Sequence, residues 1–197
     1  SPATPLYHAS RTGHTMAVKA LLRAGVKVNK GQKETLISPL YVASLSGHVQ
    51  IARALIAAGA DVNRRGDGGW SPLQVALIAG QLDMVRNIIF LGDAATHKEA
   101  GILLLKACAE DRETIVRRLL EVGVDVNTTN DDGHTPLSIA CNRRSLNMII
   151  TLFHGAFTFQ PVATVVRLVV SIFRIWYKVH WLLPANANKM HISNDDF

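Results

Sequence analysis

Two glycine-rich strings carry residue types that could hold an ion. Gly66-Asp67-Gly68-Gly69 has the small residues of a phosphate-cradling loop, and Asn130-Asp131-Asp132-Gly133-His134 opens like a calcium-binding loop. Neither completes its pattern. A phosphate loop needs a strand before its glycines and a helix after them. A calcium loop closes on an acidic residue at its twelfth position, and none stands there. The eight histidines are dispersed, with no His-Glu-x-x-His string and no triad-like grouping. Cys108 and Cys141 have no His or Cys at ligand spacing beside them. No catalytic residue, metal ligand or cofactor is assigned, and the chain is read as non-enzymatic.

The elements that must position any site emerge from internal repetition. Thr4-Pro-Leu-Tyr-His-Ala-Ser returns as Ser38-Pro-Leu-Tyr-Val-Ala-Ser, as Ser71-Pro-Leu-Gln-Val-Ala-Leu, as the degenerate Ile102-Leu-Leu-Leu-Lys-Ala-Cys and as Thr135-Pro-Leu-Ser-Ile-Ala-Cys. The spacings are 34, 33, 31 and 33 residues. The Thr/Ser-Pro opening suits a side-chain cap followed by Pro at the first helical position. Each block then continues into a second apolar-periodic segment closing on Gly, the favoured residue just past a helix. Three copies end in the related strings VKVN, ADVN and VDVN. Every repeat therefore reads as helix, tight turn, second helix and polar connection. Composition agrees with an ordered chain: 48% hydrophobic and 18% charged. The net charge of +6 is spread, with no run long enough for a nuclear signal or a phosphate-tracking patch, which argues against a nucleic-acid partner. The chain lacks an initiating Met and a signal-peptide pattern, so it reads as a piece of a longer protein.

These blocks resemble the ankyrin-repeat family, whose motif runs Thr-Pro-Leu-His-x-Ala, then Gly-His, then an apolar helix ending in Leu-Leu-x-x-Gly-Ala-Asp-Val-Asn. The resemblance covers about residues 2–156 in five successive copies, near 4–37, 38–70, 71–101, 102–134 and 135–160. It implies an all-α solenoid of stacked helix-turn-helix pairs with short β-hairpin fingers, each pair burying its apolar face on its neighbour. Departures carry their own expectations. The motif's His is replaced by Tyr7, Tyr41, Gln74, Leu105 and Ser138, which removes its hydrogen-bonding role. Asp111 and Arg144 stand where Gly13, Gly47 and Gly80 supply a left-handed turn residue, at a cost in strain. The third repeat is two residues short, which predicts a clipped finger. Cys108 and Cys141 share the repeat position of Ser10 and Ser44, a small buried slot, and are expected to be reduced packing residues. Reduced thiols favour a cytoplasmic home.

The resemblance also implies a function: binding another protein along the concave surface, through finger tips and the exposed ends of the first helices. Carried over position by position, the partner-binding candidates are Arg11, Ile37, Leu45, Asp67, Trp70, Ile78, Lys98, Glu110, Asp131, His134 and Arg143. Ile37, Leu45, Trp70 and Ile78 place large apolar groups where the fold exposes them, and a solvent-facing Trp is the profile of a binding hot spot. The basic Lys27, Lys30, Lys33, Arg64 and Arg65 contrast with the acidic Asp131 and Asp132, an asymmetry that would orient a partner.

Residues 161–184 differ in texture. Pro161 can start a helix that Pro184 ends, with Arg167, Ser171, Arg174 and Lys178 within about 60° of one another on the wheel and apolar residues around the rest. A membrane span is disfavoured, because about eleven aliphatic or Phe residues gain roughly 5 kcal/mol while three basic residues cost up to about 9. The plain expectation is a hydrophobic helix capping the last repeat, followed by a polar tail at 185–197. The alternative is an adaptor module in which this helix binds, either at a membrane surface through 161–183 or as a ubiquitin-ligase-type adaptor. VATVVRLVV followed by LLP is faintly similar to a SOCS box, although Val166 replaces that family's Cys and its second Leu-Pro is missing. The chain is expected to be a monomer.

Overall fold

The structure is a computed structural model that describes residues 3–31, 36–159 and 169–170. Helices α1 (Pro5–Thr12) and α2 (Thr15–Arg23) form the first pair, and α3 (Pro39–Ser46) with α4 (Val49–Ala57) the second. Helices α5 (Pro72–Ile78) and α6 (Leu82–Leu91), α7 (Ala94–Ala109) and α8 (Glu113–Glu121), and α9 (Pro136–Asn142) and α10 (Leu146–Phe159) complete the array. The fold is an all-α repeat solenoid, and no strand occurs among the described residues.

Four helix starts follow directly from their sequences. Thr4, Ser38, Ser71 and Thr135 each accept the backbone N–H three residues on, with Pro at the next position, where a missing N–H is harmless. In α5 and α9 the third helical residue reciprocates: Gln74 Oε1 and Ser138 Oγ each accept the N–H of their own cap residue at 2.9 Å. The expected loss of polar function at this position is thereby corrected for two repeats. A side-chain oxygen of either length can close the box.

Burial explains the stacking. Leu6, Leu40, Leu73, Leu104 and Leu137 hold the same position in the five first helices, and all are fully buried. Each contributes about 1.5–3 kcal/mol of apolar transfer. Val18, Ile51, Met84, Val116 and Met148 join them from the second helices in one continuous core. Cys108 lies in that core as a free thiol, and burial, with Asp111 nearby, pushes its ionisation up to about 12. Burial raises the free thiol of Cys141 as well. Both are packing residues.

Successive turns interlock. The His48 ring lies against Gly13, with Nε2 3.2 Å from the Arg11 carbonyl oxygen. Gly13 is required twice there: its φ is +82°, and an added Cβ would come within 2.8 Å of the ring. Gln81 covers Gly47 in the same way. Asp111 and Arg144 take up the left-handed conformation with φ of 58° and 56°, as the missing glycines demand.

Between the third and fourth pairs the interlock stops. Arg112, in register with His48 and Gln81, turns to Glu110 at 2.8 Å. Gly80 is faced instead by the Arg118 guanidinium, which donates to the Leu77 carbonyl at 3.4 Å. The clipped connection is the cause. Only Gly92 and Asp93 separate α6 from α7, and Asp93 caps α7 by accepting the Thr96 N–H. Finger and first helix thus become a single helix of 16 residues. Helix α5 does not approach α7, nor α6 approach α8, as closely as the other stacked neighbours do. Polar side chains span the junction. Asn63 Nδ2 donates to Asp93 Oδ1 and the Thr96 hydroxyl donates to Asn63 Oδ1, both at 3.1 Å.

At the far end α10 runs through Gly155 to Phe159, which corrects the expectation that Gly155 closes this helix. Gly155 serves a close crossing instead, since a Cβ there would overlap the Leu120 side chain of α8. The predicted helix at 161–184 and the tail at 185–197 lie outside the described residues, apart from the helical Val169 and Val170. Among the described residues no helix is long and apolar enough to cross a membrane.

Candidate functional site

The two glycine-rich strings are finger tips. Gly66 donates its N–H to the Trp70 carbonyl at 2.9 Å, and Gly69 donates to the Gly66 carbonyl at 3.0 Å. The same pair of bonds joins Asn130 to His134 and Gly133 to Asn130 at 3.1 and 3.0 Å. These hairpin turns are too short to extend into a ladder. Among the described residues no cluster of His, Cys, Asp or Glu could hold a metal.

Trp70 leaves the first of these tips directly before Ser71, the cap of α5. That cap fixes the backbone outward, so the indole remains 45% exposed, its edge resting against Gly68. Ile78 ends the same helix at 60% exposure, and Leu45 occupies the matching exposed position on α3. Ile37 does not join them. It is half-buried against the cluster of Tyr7, Tyr41, Val42 and Val75, which corrects its expected exposure. The strand-like approach to α3 turns it inward onto the tyrosines of the first two repeats.

Where α5 and α7 part, a groove of about 150 Å³ opens. Its apolar wall is Trp70, Leu77 and Ile78 on one side and Leu103 and Ile115 on the other. Lys106, Glu110 and Arg112 form its charged rim. The Glu110 carboxylate is held between Arg112 Nε at 2.8 Å and Lys106 Nζ at 3.8 Å. Behind the finger, Arg65 donates to Glu99 at 2.9 Å and to the Gly69 carbonyl at 2.7 Å, which ties the Trp70 turn to α7. A larger groove of about 440 Å³ runs between α8 and α10, lined by charged residues such as Glu113, Arg117 and Glu121. None of the predicted site residues lines it.

The matched family description is "Ankyrin repeats (3 copies)", and its model covers residues 1–66, 37–98 and 89–160. The chain belongs to the ankyrin-repeat family. Among curated proteins, human protein phosphatase 1 regulatory subunit 27 is 36% identical over 70 residues. That match takes in 34% of this chain and 46% of the relative, so it spans under half of the relative's length. An ankyrin array with a regulatory-subunit relative supports a role in protein–protein interaction.

Of the predicted contact residues, the structure gathers Trp70, Ile78 and Glu110 at one groove. Leu45 lies one helix away. Arg11, Asp131, His134 and Arg143 are exposed but do not line it. Lys98 is exposed on α7 rather than at a finger tip, a correction that follows from the helix absorbing the finger. The side chain of Asp67 falls outside the described set. Leu103, Lys106, Arg112 and Ile115 line the groove and are missing from the sequence-based set. Their signal was the clipped third connection, which parts the two helices.

Proposed function

We propose that this ankyrin array is a non-enzymatic scaffold that binds another protein on its finger-tip and first-helix surface, centred on Trp70 and Ile78. The carrying observation is the half-exposed Trp70 indole in the apolar wall of the groove. Aromatic anchors set among polar neighbours dominate binding energy at protein interfaces, and a ring already held by its finger loses little freedom on binding. The human relative is by name a regulatory subunit of protein phosphatase 1, which is consistent with a module that works on another chain. The free thiols, Cys108 buried and Cys141 half-buried, suit a reducing compartment, in keeping with an array that acts in the cytoplasm as a monomer. The alternative of an adaptor or membrane-binding helix at 161–183 rests on residues outside the described set.

The test is quantitative affinity capture by the full chain from cell extract, comparing wild type with Trp70→Ala. Loss of the captured partner by about 2 kcal/mol of affinity or more, with an unchanged melting temperature, is the expected result. Equal capture by both proteins would place the contact surface elsewhere.

A further inference from the structure

We infer that the gap between α5 and α7 receives one apolar side chain from an acidic segment of the partner. This rests on the protein-binding reading above and specifies the chemistry of what is bound. The size comes first. A cavity near 150 Å³ with apolar walls is about what one benzene ring fills, and this gap is open to solvent on one side. A single Phe or Leu side chain fits between Trp70, Ile78 and Leu103, whereas a helix face of several anchors does not.

Charge then selects the flanking residues. Lys106 and Arg112 line the gap against the single carboxylate of Glu110, and Arg118 donates to the backbone of Leu77, a residue of its wall. Glu110 is already shared by Lys106 and Arg112. Arg118 is half-buried, and its described partner is the neutral Leu77 carbonyl. A partly desolvated guanidinium whose described hydrogen bond is to a carbonyl gains from a carboxylate, which it can grip through two parallel hydrogen bonds. A basic flank would instead meet the like charges of Lys106 and Arg112 at the rim.

The gap is peculiar to this junction. In the other stacked pairs the first helices lie close, and at three junctions the following turn covers its predecessor, as His48, Gln81 and Ser145 do. The surplus charge arises because Arg112 is drawn to Glu110 and Arg118 takes its place.

The experiment is selection of random peptides displayed on phage against the full chain. Selected peptides are then remeasured by fluorescence polarisation on wild type, Trp70→Ala, Ile78→Glu and Arg112→Glu, each checked for an unchanged melt. Ile78 and Arg112 are exposed, so these variants preserve the core. The expected result is enrichment of peptides carrying one Phe or Leu beside Asp or Glu. Their affinity should fall about tenfold or more in Ile78→Glu and in Arg112→Glu, and should weaken with added salt. Peptides lost in Trp70→Ala but indifferent to Arg112→Glu, or rich in Lys and Arg, overturn this inference and leave the Trp70 surface standing. Binding that survives all three substitutions overturns both readings. Failure to enrich any peptide overturns the anchored-side-chain inference, because a preformed apolar gap should capture some member of a random library.

Discussion

The Ser145 hydroxyl donates to Asp111 Oδ1 at 2.8 Å, joining the turn of the fifth repeat to that of the fourth. Asp111 therefore has a task that glycine could not perform, although its left-handed φ of 58° is one that glycine adopts more easily. Arg144, at φ 56°, occupies the same turn position in the last repeat, where no repeat among the described residues follows to use its side chain.

The two turns should respond differently to glycine. Arg144→Gly is expected to stabilise the protein by about 0.5–1 kcal/mol, the relief of left-handed strain less the added freedom of the unfolded chain. Asp111→Gly should be near neutral or destabilising, since losing the Ser145 bond costs about 0.5–1.5 kcal/mol and Asp tolerates this conformation better than Arg. Denaturant midpoints at constant m-value measure both. Equal gains in the two variants would deny Ser145 its role.

Acid should weaken the cap of α7. Hydrogen bonds from the Thr96 backbone, from Asn63 and from the Thr96 hydroxyl hold the Asp93 carboxyl below its ordinary value of 3.8. A carboxylate depressed in the folded state contributes stability above its unfolded value and loses it as pH falls through the folded value. Wild type should thus melt above Asp93→Asn near neutral pH, and the difference should close below 3.8. A constant difference across that range would show that the charge contributes nothing to the cap.

Gly155 should reverse the usual helix rule. An exposed helical Gly→Ala change gains about 1 kcal/mol, yet here the new methyl meets Leu120 in a packed crossing. Gly155→Ala is expected to destabilise by about 1–3 kcal/mol as overpacking. In a Leu120→Ala background the same change should become neutral or favourable, and a thermodynamic cycle reads that coupling.

Helix α10 presents Leu146, Ile150 and Phe157 at 71%, 64% and 64% exposure, apolar residues of the last pair left open to solvent. Such a terminal face calls for cover. A chain ending at Phe159 is expected to melt at a lower temperature or to self-associate in sedimentation. Unchanged melting and a monomeric profile would assign residues 160–197 a task other than capping.

Much of the architecture was legible because each helix start states its own chemistry. Thr4-Pro5, Ser38-Pro39, Ser71-Pro72 and Thr135-Pro136 predict caps that the structure forms, and the leucine after each Pro predicts the buried row. The left-handed turns at Asp111 and Arg144 could be read from the glycines they replace. The groove was signalled only by the clipped third connection, and its lining residues could not be named from it. Its walls depend on where α7 lies relative to α5, and Lys106 or Ile115 look in sequence like ordinary helical residues. Gly155 misled for a related reason. A glycine that ends a helix and one that admits a neighbouring side chain differ only in what packs beside them. Gln74 and Ser138 were undervalued because their role depends on reaching back to the cap residue's N–H, which substitution for His did not reveal.

The parted helices α5 and α7 also decide how the molecule yields under load. In a linear stack, tension between the ends passes through every joint in series, and each unit is held only by its neighbours. The joint with the fewest close backbone approaches gives way first, leaving three repeats intact on one side and two on the other. A side chain wedged into that joint would act as a splint, binding only while the joint is closed and so holding it closed. Occupancy would then be felt as stiffness along the whole rod, at distances no direct contact could span.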